Sequence, residues 1–376
     1  MKRIRLQVRD NWRAKVEALG FSYHTLDGVT YWDESTCYAF DRAQADIIEK
    51  STSTLYQLCL RAVDHVICHR RYDYFRIPPA FIPRLEHSWH HREPAVYGRF
   101  DLVWDGVTGV PKMLEFNADT PTSLFEAAAV QWFWLNDVNP SADQFNGIHA
   151  KLVARWGELK EQLQGKPLYF SCLHQFPEDL VNVQYLRDCA AQAGIITQFI
   201  SVHDIGRRKT AFVDLDEQQI DFIFKLYPWE WMVNEEFGTL LHQSDTLWLE
   251  PMWKMLLSNK AILPVLWELF PHHPNVLECY YDDPRTMTDY AKKPLLSREG
   301  ANVTLVENGK IISATGGEYG EEGYVFQQLQ KLPDFDGNRP VLGSWVIGGE
   351  AAGMGIRETG SLVTDNFSRY IPHLIL

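Results

Sequence analysis

Between residues 148 and 250 the chain alternates two kinds of apolar pattern. Helix-periodic stretches, HAKLVARWGELKEQL and EDLVNVQYLRDCAAQ, are interleaved with short runs of strand formers, PLYFSC, IITQFISV and DFIFKLY. A helix of this kind hides one stripe and a strand hides one or both faces, so burying both patterns requires helices packed on a sheet. That makes the protein α/β (α+β) in class. At 376 residues it is about two and a half times the ~150-residue domain prior. No repeat or low-complexity linker divides it, and we expect a single unit over 1–376 with approximate sublobes 1–150, 151–250 and 251–376.

Either side of this layer the pattern changes. Ile48, Leu55, Cys59, Val63 and Ile67 recur at steps near 3.6 after Asp41, which predicts a capped amphipathic helix over 41–72. From Arg99 to Asn117 the period drops to two, in FDLVWD and VPKMLEFN joined by DGVTG, and this reads as a β-hairpin. Thr120 to Val138 reads as a helix with Pro121 in its first turn. A helical stretch near 251–270 then gives way to a glycine-rich, strand-rich C-terminal third.

Alternation along the hairpin gives its chemistry. Arg99 and Asp101 share one face and Phe100, Leu102 and Trp104 the other; Glu115 and Asn117 group together, opposite Leu114 and Phe116. If the apolar sets are buried together, one guanidinium, two carboxylates and an amide gather on the remaining face. Asp, Glu and Asn are hard oxygen donors of the sort Mg²⁺ accepts alongside waters and phosphates. A solvated sheet face laced with ion pairs is the plainer alternative. Lys260 sits in the apolar run LLSNKAILPVLWELF and Lys293 opens KKPLL, so each either snorkels or meets an anion. The turn SREGANV at Gly300 could bring backbone N–H groups against a phosphate, although neither GxxxxGK[ST] nor GxGxxG is present. The glycines from Gly316 to Gly323 suit a lid or a surface connection. His87, His90 and His91 lack a completing ligand pattern, Cys172 beside His174 reads as packing, and the aromatics of LYPWEWM and VQWFWLN read as core.

Charge narrows the partners. With 36 Lys+Arg against 49 Asp+Glu the net charge is −13, which repels phosphate backbones and is compatible with a cationic amine. No apolar run reaches the ~18 residues of a membrane span, the basic N-terminus meets Asp10 before any signal-like core, and six cysteines form no CxxC pair. These features predict a reduced, cytoplasmic protein with no nucleic-acid or membrane partner.

Taken together, RFDLVWD with LEFNADTPTS, WKMLLSNKAILPVLWELF, KKPLLSREGANV, YVFQQL and GMGIRETGSLVTDNFSR resemble, in order and over nearly the full length, the synthetase domain of bifunctional glutathionylspermidine synthetases and its stand-alone bacterial homologues. The resemblance implies an ATP-grasp type fold and an ATP-dependent acid–amine ligase that forms a carbon–nitrogen bond between a peptide-like acid, such as glutathione, and an amine, such as a polyamine. It further implies that Arg99 stabilises the transition state, that Asp101, Glu115 and Asn117 hold Mg²⁺, and that Arg99, Phe100, Asp101, Lys260, Lys293, Gly300, Gln327, Gln328, Leu329, Gln330, Leu362, Val363 and Thr364 contact ATP. Thr120 and Arg357 fall at substrate-contacting positions. The chain carries no counterpart of the amidase domain, and ADTPTS and LYPWEW depart from the family pattern, so its acid and amine pockets are expected to differ. Two other readings of the residues compete: a carbohydrate-active hydrolase using Asp101 and Glu115, and a non-catalytic nucleotide-binding protein.

Overall fold

A computed structural model describes residues 1–365 and 367–376. At its centre lies a five-stranded antiparallel sheet ordered Arg369–Ile371, Glu350–Thr359, Arg339–Ile347, Tyr97–Val103 and Lys112–Asn117. The predicted hairpin is therefore present, as the two strands at one side of this sheet. Its register pairs Arg99 with Asn117 and Asp101 with Glu115, with an irregularity after Asp101. Phe100 and Phe116 stack at 3.9 Å on the apolar face. That face is covered by the helix Arg42–Cys68, whose Asp41 side chain accepts the Gln44 N–H while the Gln44 side chain returns the bond to the Asp41 N–H.

The 148–250 segment forms the expected α/β layer: a parallel sheet ordered Leu247–Leu249, Phe222–Leu226, Leu168–Cys172 and Thr197–Ser201, with the helix Pro177–Gln192 as a crossover. The C-terminal third supplies a second antiparallel five-stranded sheet, ordered Cys279–Tyr281, Tyr324–Gln328, Tyr290–Pro294, Thr304–Glu307 and Lys310–Ala314. The glycines from Gly316 to Gly323 connect two strands of this sheet. Smaller sheets complete the fold.

Two expectations are corrected. The helix expected from Thr120 begins only at Leu124 and runs through a wide turn at Glu126–Val130 into Gln131–Val138. Asn182 Oδ1 takes the Leu124 and Phe125 N–H groups at 3.0 and 3.2 Å, so the helix start is capped from another element, and Pro121 stays outside it. The 251–270 stretch is not one helix. Met255–Ser258 and Ile262–Leu269 are separated by an extended Asn259, whose Oδ1 accepts the Ala261 N–H at 2.9 Å. The central sheet joins residues 97–117 to 339–371.

Candidate active site

The polar face of the central sheet is a shallow floor on which long side chains lie flat. Gly343 pairs with Asp101 on one side and Gly355 on the other. A Cβ at Gly343 would stand 3.0 Å from Arg99 Cδ, and one at Gly355 would run into the Tyr370 hydroxyl. Glycine at both positions thus lets Arg99 and Tyr370 rest against the sheet. Neither glycine announces this in the sequence, because the demand comes from neighbouring strands.

On this floor Arg99 is 6% exposed and Asp101 4%. Arg99 Nε donates to Asp101 Oδ1 at 2.8 Å and Nη1 to the Thr122 carbonyl at 2.6 Å, with Trp345 beneath the guanidinium at 5.9 Å. Arg357 reaches the other Asp101 oxygen. Across the hairpin, Glu115 meets Lys260 Nζ at 3.1 Å and receives a long 3.4 Å contact from Asn117 Nδ2. Loss of water would raise the Glu115 pKa, but Lys260 and then Lys293 and Arg357 outweigh it and hold the carboxyl at about 2. Burial pushes the Lys293 pKa down, against the pull of Glu115.

Both lysines are placed by backbone. Lys260 stands in the break between two helices, where its N–H bonds to the Leu295 carbonyl at 2.9 Å and its Nζ to the Ser297 carbonyl at 2.6 Å. It is 9% exposed, so the snorkelling alternative does not describe it. Lys293 Nζ donates to Gln327 Oε1 at 2.7 Å and to the Leu114 carbonyl at 3.2 Å. Gln327 Nε2 donates to the Met113 carbonyl at 3.1 Å, which ties the second sheet to the hairpin.

Two clefts meet at Glu115, Lys260 and Ser297. One, of about 750 Å³, has apolar walls from Val303, Leu305, Leu329 and Val341 and also takes in Asp101, Lys293, Gly300, Gln327, Gln328, Gln330 and Leu362–Thr364. The other, of about 460 Å³, is polar and takes in Asn117, Asp119, Thr120, Glu230 and Arg298. Phe100, grouped with the nucleotide contacts on the sequence, turns its ring into the core, fully buried, and lines neither cleft. Arg357 reaches the site through Asp101.

Sequence reading passed over Arg298, although the motif that carries it was in view. Arg298 Nη1 donates to Thr120 Oγ1 at 2.8 Å and Nη2 to Glu230 Oε1 at 2.5 Å, so it bridges the loop after Pro294 to the floor of the polar cleft. It also passed over the buried pair Asp119 and Lys225, 2.6 Å apart, in which Asp119 further accepts the Trp229 N–H at 2.9 Å. The aromatics expected in the core divide: Trp134 and Trp229 are buried, whereas Trp132, Phe133 and Trp231 are exposed. His87 and His91 stack on one another at 3.7 Å, and among the described residues no group of three or more His, Cys, Asp or Glu could hold a metal. Burial pushes the Cys172 thiol up to about 12, and His174 bonds to Ser201 instead. No described helix is long and apolar enough to cross a membrane.

Comparison with known proteins adds to this geometry. The family model described as glutathionylspermidine synthase preATP-grasp matches residues 3–376. A Haemophilus influenzae protein named "Putative acid--amine ligase" is 43% identical over 372 residues, covering 94% of each chain. Trypanothione synthetase of Crithidia fasciculata is 28% identical over 77% of this chain, which spans 49% of that protein. The bifunctional glutathionylspermidine synthetase/amidase of Escherichia coli is 26% identical over 98% of this chain, which spans 64% of it. Among solved structures, a glutathione synthetase-like effector from Globodera pallida superposes with a TM-score of 0.57 at 11% identity over 97% of this chain and 95% of that one, which bears out the ATP-grasp type fold.

Proposed function

The chain belongs to the glutathionylspermidine synthase family, and from that premise we propose that it is a cytoplasmic, ATP-dependent acid–amine ligase that activates a peptide-like carboxylate as an acyl phosphate and passes the acyl group to an amine. The observation that carries the reading is the meeting of two clefts at Glu115 and Lys260, with Arg99, Lys293 and Arg357 at or beside the junction. A cleft of about 750 Å³ with apolar walls and lysines at one end suits a nucleotide, whose base is apolar and whose phosphates are anionic. Gln327 to Gln330 and Leu362 to Thr364 would flank the base, while Lys260 and Lys293 would neutralise the phosphates.

Two carboxylates set opposite one another by the hairpin register, with an amide two residues along from Glu115, are a donor set that would fit Mg²⁺. Asp101, Glu115 and Asn117 would hold it, and when bound it supplies positive charge at the phosphates. In the structure Asp101 is paired with Arg99 and Arg357, and Glu115 with Lys260, so both carboxylates are already held in place. The acid would lie in the polar cleft, its carboxylate directed to the junction by Thr120 and Arg298, with Arg357 beside it. Its attack on the γ-phosphoryl group gives the acyl phosphate and ADP. The neutral amine then adds to the acyl carbon, the carbon–oxygen bond to phosphate breaks, inorganic phosphate leaves, and the proton lost from the nitrogen passes to solvent or the departing phosphate; Arg99 would stabilise the charge that develops in both steps. Residues 297–323 would close over the junction and exclude water, which otherwise hydrolyses the acyl phosphate.

The hydrolase reading is not favoured: a general acid needs a raised pKa, whereas Glu115 is held at about 2. The test is ADP release across a panel of small peptides and amines, with products weighed by mass spectrometry. Magnesium-dependent ADP formation matched one to one by an amide is expected. ATP binding with no ADP or amide anywhere in the panel would leave a non-catalytic nucleotide-binding protein instead.

One substitution bears chiefly on the nucleotide cleft. Gly300 has φ +70°, and a Cβ there would collide with the Thr364 carbonyl and stand 2.7 Å from Val363 Cγ1. Gly300→Ala is expected to push the 298–301 turn off the 362–364 segment and raise KM for ATP roughly tenfold, with a much smaller change in KM for the acid. Equal changes in both would count against the assignment of this cleft.

A further inference from the structure

The parallel sheet carries a third cavity, of about 440 Å³, that shares no lining residue with either cleft. Register places its floor: Lys225 pairs with Ser171 and Ile223 with Trp248, so Ser171, Lys225 and Trp248 project from one face near the carboxyl ends of three parallel strands. Crevices at such strand ends are where open α/β sheets take ligands. Val202, Ile205, Phe212, Met232 and Leu241 close the space with apolar surface.

Two polar groups in this wall have no partner among the described residues. Ser171 is fully buried and Trp248 is 5% exposed, yet neither Ser171 Oγ nor Trp248 Nε1 makes a hydrogen bond to a described residue. Burying a hydroxyl and an indole N–H unpaired is costly, so each calls for an acceptor inside the cavity. The charged groups nearby are already engaged. Lys225 donates to Asp119 at 2.6 Å and to the Tyr227 carbonyl at 2.8 Å, and the Glu235 carboxylate takes the Tyr227 hydroxyl. The wall thus holds two unspent donors, Ser171 Oγ and Trp248 Nε1, set in apolar surroundings.

We propose that this cavity is a second small-molecule site, for a ligand with an aromatic or branched aliphatic body and an oxygen acceptor of the carboxylate or carboxamide class, held by Ser171 and Trp248. The site stands independently of the ligase reading. It lies one ion pair away from the polar cleft, since Lys225 lines the cavity and its partner Asp119 lines the cleft.

The test uses 3-phenylpropanoate as probe and 3-phenylpropylamine as its cationic counterpart, with binding followed by calorimetry on the intact chain. Saturable binding of the carboxylate is expected, at least roughly threefold weaker in Ser171→Ala or in Trp248→Phe, the scale of one net hydrogen bond, and lost in Leu241→Trp, which fills the space. Ser171→Ala removes a hydroxyl that has no partner, so its melting temperature should not fall and the binding result stays readable. No saturable binding, equal affinity for the amine, or an affinity unchanged in both Ser171→Ala and Trp248→Phe overturns the proposal; the last outcome would assign the probe to another cleft.

Discussion

Glu115→Gln is expected to lower magnesium-dependent ADP formation by two to three orders of magnitude, on the order of what removing one preorganised charged group costs phosphoryl or acyl transfer. Gln keeps the shape of the side chain and removes its charge, which does two things at once. It replaces an anionic oxygen donor beside Asp101 with a neutral amide oxygen, and it leaves the charges of Lys260 and Lys293 without the anion that offsets them. The second effect has a signature in pH. The folded-state pKa of Glu115 lies near 2 against an ordinary 4.5, so its stabilisation is fully present above about pH 4.5 and is lost as pH falls toward 2. The wild-type protein should therefore be more stable than Glu115→Gln at pH 6, with the gap closing across that window; the shift sets an upper bound of about 3 kcal/mol for a side chain that is 28% exposed. Turnover within about threefold of wild type would remove Glu115 from the metal site, whatever the stability result.

Arg99→Lys is expected to separate catalysis from binding. The guanidinium makes three bonds in two directions, to both Asp101 oxygens and to the Thr122 carbonyl, while lying on Gly343 and over Trp345. A lysine ammonium keeps the charge and cannot reproduce this planar fork. We expect kcat to fall by a hundredfold or more, with KM for ATP within a few fold, because Lys260 and Lys293 remain in place. The measurement is steady-state kinetics of ADP release on the acid and amine found by screening. A raised KM with kcat retained would make Arg99 a ground-state contact and shift the developing charge to another group.

Much of the site was legible because it rests on local rules. The period-two run around Arg99 and Glu115 put Arg99, Asp101, Glu115 and Asn117 on one face, and the structure pairs Asp101 with Glu115 as that face requires; the irregularity after Asp101 puts Met113 in the core in place of Leu114, which lines the cleft. Asp41 caps its helix as expected, and Gln44 answers it. Phe100 shows the limit of transferring whole motifs. It lies between two residues proposed for the site, yet strand alternation already assigns it to the core, and its ring is stacked there on Phe116. Lys260 shows a different limit: the apolar periodicity around it reads as one helix, and the break appears only because Asn259 bonds across the turn and Leu295 receives the lysine N–H.

The sequence by itself determined the α/β class, the hairpin with its polar face, the capped helix and, through ordered motifs, the family. Each of these follows from spacing over a few residues or from residue identity. Only the tertiary structure decided which cation meets which carboxylate, why Gly343 and Gly355 must be small, that Arg298 bridges Thr120 and Glu230, and that Ser171 and Trp248 face a common cavity. Those facts depend on elements far apart in the chain being held within a few ångströms, and a hydrogen bond or an ion pair of that reach leaves no periodic trace in the residues on either side of it.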